Sequence, residues 1–321
     1  MYVIETKNLT KKFEKLTAVS KLNLKIKEGE IFGLLGPNGA GKTTTLSMLA
    51  TLIPPSEGSA TVNGFDVVKE SSKVRHSIGF VFQDPSSDDL LTGRENLYLH
   101  ALMYGVDMHD INKKMDDVLR LVDLTERQHE RMKLYSGGMR RRLELARGLL
   151  HEPKILFLDE PTLGLDPQTR QHLWGYIKRL STEKKVTIII TTHYMEEADE
   201  LCDRIAIVDH GKIIALDTPH NLKHGMGGDL VRIRVKKPNI AALRKLKYVK
   251  AIKREDGMLT FTVNDAGKHL QEILKKVGEV ESVESHSPTL NDVFLRFTGS
   301  EIRDQEGEGG YFERMMHSRN R

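Results

Sequence analysis

Residues 36–44 read Gly36-Pro37-Asn38-Gly39-Ala40-Gly41-Lys42-Thr43-Thr44, which puts Gly36, Gly41, Lys42 and Thr43 at the spacing of a loop that wraps a phosphate. The glycines let successive backbone N–H groups turn inward around an anion, and a helix starting after the loop adds the positive end of its dipole. In that frame the Lys42 ammonium sits between the β- and γ-phosphates of a nucleoside triphosphate, and the Thr43 hydroxyl ligates Mg²⁺. A second chemical group follows the apolar run Ile155-Leu156-Phe157-Leu158, where Asp159 and Glu160 stand together. Asp159 suits Mg²⁺, directly or through water; Glu160 suits activation of an attacking water as general base. His193 closes another apolar run, residues 186–192. Its imidazole could touch the γ-phosphate and hold the water and Glu160 in register, or simply cap the next helix. Gln83 follows residues 78–82 at a further strand end, where it could bind Mg²⁺ or the water, or be an ordinary polar turn residue.

Such residues need strands whose ends converge. Residues 30–36, 154–160 and 186–193 read as buried strands, the first running into the glycine loop and the second into the acids. Ligands of α/β sheets sit at the C-terminal strand ends. Residues 204–216 read as a hairpin turning at His210-Gly211. Alternation of strand and helix patterns up to about residue 220 predicts α/β units around a mainly parallel sheet. From about 88 to 150, Leu97, Leu102, Met115, Val118, Leu119 and Val122 recur at helical spacing, which predicts an inserted helical subdomain. The glycine-rich residues 223–228 read as a linker. Beyond it, 229–299 follows the order β-α-β-β-α-β, a small ferredoxin-like α+β appendage with a hairpin turn at Asp256-Gly257. A closing helix has Thr289 as N-cap and Gly299 as stop, and residues 300–321 read as a loose polar tail.

The chain has 321 residues and a net charge of +4, too mild a basic balance to argue for nucleic acid. Its single cysteine, Cys202, rules out an internal disulfide and fits a reducing compartment. No apolar run reaches the ~20 residues that span a bilayer, and the first residues lack a signal-peptide core. The expectation is a cytoplasmic protein that touches a membrane only through a partner.

Together, Gly36–Thr44, Val81-Phe82-Gln83, Tyr135-Ser136-Gly137-Gly138-Met139, residues 155–166 and Thr191-Thr192-His193 resemble the nucleotide-binding subunit of an ABC transporter. The likeness covers about residues 3–220, in that family's order and spacing. It implies a P-loop NTPase fold of ABC type over residues 1–222, ATP as ligand and Mg²⁺ as metal. It further implies that Phe13 stacks on adenine, that Gln83 faces a transmembrane partner, and that Leu165 and Asp166 form the D-loop. His193 becomes the switch histidine. Ser136, Gly137 and Gly138 become a signature that closes over the nucleotide of a second ATPase subunit, glycine being needed where backbone approaches phosphate. Tyr135, Met139 and the ending "SPTLNDVFLRFTG" resemble the daunorubicin-resistance type, whose subunits energise separately encoded ABC-2 type permeases, including exporters of drugs and antibiotics. The D-loop departs slightly, with Leu163-Gly164 where the family often has Ser-x. The competing reading is a soluble ABC ATPase of translation or DNA maintenance; a short interval between loop and signature, without long heptads, argues against it.

Other features have plainer readings. Arg140-Arg141-Arg142 point about 100° apart on a helix and read as a solvated face rather than a nucleic-acid patch, with Arg140 or Arg141 facing a partner and Arg147 supporting the helix–sheet junction. Met103, Met108, Met115 and Met132 read as core fillers, some able to line a groove for a partner helix. His220 and His224 have the spacing of helical metal ligands, but lack a third ligand.

Overall fold

The structure, a computed structural model, describes residues 1–298 apart from Lys15, Lys237, Asp256 and the side chain of Glu255. The expected turn residue Asp256, the stop Gly299 and the tail 300–321 therefore lie outside the described residues. The chain divides into two compact units after Leu216.

The first unit opens with strands β1 (Tyr2–Phe13), β2 (Leu16–Lys27) and β3 (Ile31–Leu35), then helix α1 (Lys42–Leu49). Next come β4 (Glu57–Val62), β5 (Phe65–Asp66), α2 (Ser71–Ser77) and β6 (Ile78–Val81). Three helices follow, α3 (Gly93–Met103), α4 (Ile111–Leu121) and α5 (Gly137–Leu149). The unit closes with β7 (Ile155–Asp159), α6 (Pro167–Lys184), β8 (Thr187–Thr192), α7 (Met195–Leu201), β9 (Arg204–Asp209) and β10 (Lys212–Asp217).

Six strands form one sheet in the order β10-β9-β3-β8-β7-β6, and the pairs from β9 through β6 run parallel. β3, β7 and β8 are buried at every residue, as apolar runs without alternation require of strands covered on both faces. Phe32 and Phe157 are fully enclosed, each such ring stabilising the fold by about 1.5–3 kcal/mol. A second sheet, β2-β1-β4-β5, is antiparallel and was not foreshadowed by the strand–helix alternation. Its inward residues Ile4, Leu9, Leu22, Leu24 and Ile26 join the same core as Phe32 and Phe157.

Helices α3, α4 and α5 lie between residues 93 and 149, joined by turns. Thr92 and Glu95 cap α3 reciprocally, and Ile111, Met115, Val118 and Leu119 give α4 one buried stripe. The core-filler reading holds for Met115 and Met132, which are buried, and not for Met103 and Met108, which are 81% and 61% exposed. Leu102 is likewise exposed, since it lies on the outer face of α3 beside Tyr98, Leu99 and Met103.

The second unit contains α8 (Pro219–His224), β11 (Asp229–Val235), α9 (Ile240–Arg244), β12 (Val249–Glu255), β13 (Met258–Val263), α10 (Ala266–Val277), β14 (Val280–His286) and α11 (Leu290–Thr298). Its antiparallel sheet has the order β12-β13-β11-β14, the arrangement a ferredoxin-like β-α-β-β-α-β chain adopts. Val231, Ile233, Leu259 and Phe261 pack there against Leu243, Ile273 and Val277 of the helices. The unit begins at Asp217, earlier than the linker read at 223–228, because residues 219–224 form a capped helix that packs with α11. Thr289 does cap α11, exchanging hydrogen bonds with Asp292. The rings of His220 and His224 lie 6.1 Å apart on α8.

Candidate active site

The glycine loop joins the C-terminal end of β3 to α1. Gly41 turns the chain at φ +100°, where a Cβ would stand 2.5 Å from the Ala18 carbonyl oxygen. The loop is braced from β9 and β10: the Gly211 N–H donates to the Ala40 carbonyl at 3.0 Å. Pro37 and Ala40 are buried, Asn38 and Gly39 are exposed, and Thr43 and Thr44 begin α1 half-buried.

Lys42 folds back under this loop. Its Nζ donates to the Gly36 and Pro37 carbonyls at 2.7 and 3.1 Å and lies 3.3 Å from Glu160 Oε1. Burial lowers the Lys42 pKa, opposed by the carboxylates of Glu160 and Asp159.

Asp159 ends β7, as the sequence pattern requires. One of its oxygens accepts from Thr43 Oγ1 at 3.0 Å and from Thr191 Oγ1 at 2.5 Å. Burial raises its pKa, against the two hydroxyl hydrogen bonds. Glu160 follows with a left-handed backbone, φ +45°. Its N–H donates to Thr191 on β8, and its carboxylate is shared: Oε1 faces Lys42, while Oε2 lies 2.9 Å from His193 Nδ1. Burial pushes the Glu160 carboxyl up, but the His193 hydrogen bond and the Lys42 charge outweigh it and leave the pKa below its usual value. The result is an ionised, buried carboxylate. His193 is thus bound to Glu160; the side-chain cap considered for it does not form, since Tyr194 occupies the N-cap of α7.

The Mg²⁺ expectation can be tested against these atoms. Thr43 and Asp159 present hard oxygens in direct contact, and Asp159 carries a burial penalty that a cation would relieve. That donor set fits Mg²⁺. Gln83 is less engaged than expected: its side chain is exposed, and its backbone carbonyl is held by Arg141 at 3.2 Å.

A second cluster carries the glycine pair. Ser136 caps α5, accepting from the Met139 N–H at 3.3 Å, and Asp166 caps α6, accepting from Thr169. The two caps pack together: a Cβ on Gly138 would lie 2.4 Å from Thr169 Cγ2, whereas one on Gly137 would meet only Leu165, at 4.0 Å. Gly138 is therefore required by its own subunit, and Gly137 faces outward. Phe13 is 42% exposed, with Lys11 Nζ 5.0 Å from its ring centre.

The arginine expectations need correction. None of the three is a loose solvated side chain. Arg140 pairs with Asp89, Arg142 donates to the Val122 and Asp123 carbonyls, and Arg141 is 6% exposed and binds backbone at the ends of β6 and β7. Arg141, not Arg147, supports the helix–sheet junction; Arg147 pairs with Glu144, Ser86 and Ser87. Two further residues were missed. Glu197 is fully buried on α7 and accepts from Thr162 and from Trp174 Nε1, at 2.7 and 3.0 Å, with its pKa raised by burial. Thr191 links Asp159 to the Glu160 backbone.

An ABC transporter family model matches residues 19–163, and the C-terminal domain of DrrA1-3-like ATP-binding proteins matches residues 218–298. The linearmycin resistance ATP-binding protein LnrL of Bacillus subtilis is 37% identical over 94% of this chain and 100% of its own length. The daunorubicin/doxorubicin resistance ATP-binding protein DrrA of Streptomyces peucetius is 37% identical over 95% of each. Among solved structures, cbiO1 of Clostridium perfringens, part of the transporter complex cbiONQ, matches 69% of this chain and 90% of its own, with TM-score 0.65 and 28% identity. A dimeric, post-hydrolysis form of the cassette MJ0796, bound to ADP and phosphate, matches 67% and 98%, with TM-score 0.61 and 29% identity. The chain belongs to the ABC transporter ATP-binding family and is an ATPase. More particularly, its likeness to resistance ATP-binding proteins runs through both units, and the chain is the ATP-hydrolysing subunit that powers a membrane exporter. The translation and DNA-maintenance alternative is not favoured. No helix among the described residues is long and apolar enough to cross a membrane.

Proposed function

We propose that this subunit dimerises head to tail on ATP, depends on Mg²⁺, and drives an ABC-2 type permease from the cytoplasmic face of the membrane, with drugs or antibiotics as cargo. The observation that carries the reading is the Glu160 carboxylate, ionised and shared between Lys42 and His193 at the mouth of the phosphate loop. The phosphates of ATP draw the Lys42 ammonium off Glu160 and onto the β- and γ-oxygens. Glu160 is then free to take a proton from water as its oxygen attacks the γ-phosphorus and ADP leaves, while His193 keeps the carboxylate aimed. Mg²⁺, held by Thr43 and Asp159 with Gln83 drawn in, would neutralise charge on the phosphates. The nine loop residues Gly36 to Thr44 bind the triphosphate and Phe13 the adenine. Ser136, Gly137 and Gly138 cover the nucleotide of the second subunit, with Asp166 beside them; the outward-facing Gly137 supports this, since nothing in its own subunit requires a glycine there. The resistance names of the full-length relatives support the class of cargo. Nucleic acid plays no part in this reading. Co-purification with a polytopic permease in mild detergent, and ATPase activity that rises in the complex, test it; a chain fully active and unpartnered in membranes would sink the exporter assignment.

A further inference from the structure

Arg141 lies five residues after Ser136 on the same helix. Its guanidinium is buried, and among the described residues it forms no ion pair. All of its binding is to backbone carbonyls. Nε donates to Pro161 at 2.5 Å, Nη2 to Asp159 and Glu160 at 3.0 and 2.9 Å, and Nη1 to Phe82 and to Gln83 at 3.2 Å. Five acceptors use the full fork of an arginine, which lysine, with three donors from one point, cannot reproduce. Burying this charge is costly even with the carboxylates of Glu144, Asp159, Glu197 and Asp84 acting on it without direct contact, so the geometry it secures must matter to the fold or to the reaction.

What it secures is the base. Glu160 has φ +45°, a conformation that non-glycine residues keep only when the surroundings over-determine it. Thr191 holds the N–H side of Glu160 and Arg141 holds its carbonyl. The same guanidinium holds the backbone of Gln83 and stands on the helix that Ser136 caps.

We infer that Arg141 is a positioning residue for ATP hydrolysis: it fixes the left-handed Glu160 backbone and registers the base, Gln83 and the Ser136 helix to one another within one subunit. The inference rests on the reading of Glu160 as base and of the Ser136 helix as the surface that closes over a partner's nucleotide. Registration means that closing the helix and aiming the base are one motion rather than two.

The test compares Arg141→Lys and Arg141→Met in the full chain. Circular dichroism and nucleotide binding check the fold. A base displaced by about 1 Å loses turnover by about 10²-fold, and that drop in kcat is expected in both variants. KM for ATP stays within about threefold, because nucleotide binding does not use Arg141. Wild-type kcat in a folded Arg141→Lys protein overturns the inference, as does a rise in KM with kcat unchanged. Loss of fold in both variants assigns Arg141 to stability alone and also overturns it. Glu160→Gln in the otherwise unchanged chain separates the two readings. If it forms no ATP-dependent dimer, the head-to-tail reading fails while the kcat effect at Arg141 still stands.

Discussion

The Lys42 ammonium and the Glu160 carboxylate lie 3.3 Å apart, each less than a tenth exposed. The residue proposed to bind phosphate and the residue proposed to activate water are therefore one ion pair. Lys42→Ala should weaken ATP binding and lower phosphate release by about 10²–10³-fold, the scale of losing one preorganised charge. It should also raise the Glu160 pKa, because the Lys42 charge holds it down. The acid limb of residual activity then moves toward neutral pH, which a pH–rate profile reads directly.

Replacing Glu160 by glutamine keeps its size and removes its charge. Turnover should fall by about 10²–10⁴-fold, the range of a general base, and ATP should remain bound. Size-exclusion chromatography with ATP is expected to show a stable dimer. Hydrolysis at the normal rate would remove Glu160 as base.

Ser136→Arg puts a long cation where a small hydroxyl caps α5. Turnover should vanish while ATP binding to the monomer, measured by a fluorescent analogue, stays unchanged. Unaltered activity would end the trans role of the signature.

Gly138→Ala should destabilise the subunit by about 1–3 kcal/mol, the usual penalty of overpacking, since the new methyl would lie 2.4 Å from Thr169 Cγ2. Thr169→Ser removes that methyl and keeps the hydroxyl bound to Asp166. The double variant should recover much of the loss in thermal melts; no recovery would place the strain elsewhere.

Glu197 titrates in the opposite direction from Glu160. Burial raises its pKa, so the folded chain holds a proton that the unfolded chain has already released. Its contribution to stability is therefore fully present below the ordinary carboxylate pKa and is lost as pH rises through the raised value. Glu197→Gln should gain stability over the parent at pH 8 more than at pH 5 in urea unfolding. Equal differences at the two pH values would show that the carboxyl stays ionised.

Much of the site was legible in the sequence. Lys42 and Thr43 follow a loop whose spacing has one main use, and Asp159 and Glu160 follow an apolar run of strand length. Their convergence with His193 follows from parallel strands ending at one edge. What escaped were residues whose role depends on direction. Three successive arginines look alike in a string, yet Arg141 shares the buried face of α5 with Leu145 and Gly148, at helical offsets of four and seven. That offset was the available signal. Met103 and Met115 are the same residue type in neighbouring helices, one ending α3 and the other inside α4, and only the packing tells exposed from buried. In the antiparallel sheet the β1–β4 pairing escaped because it joins segments far apart in the chain, such as Ile4 with Val62, whereas β1 and β2 form a local hairpin, with Phe13 opposite Leu16, that went unread.

Trp174 is the chain's single tryptophan, and its indole N–H ends on the buried carboxyl group of Glu197. The protein therefore carries a built-in optical reporter at the junction of α6, which Asp166 caps, and α7, which follows His193. Any rearrangement that separates these helices, or any change in the protonation of Glu197, changes the polarity around one fluorophore, without a label and without a background from other indoles.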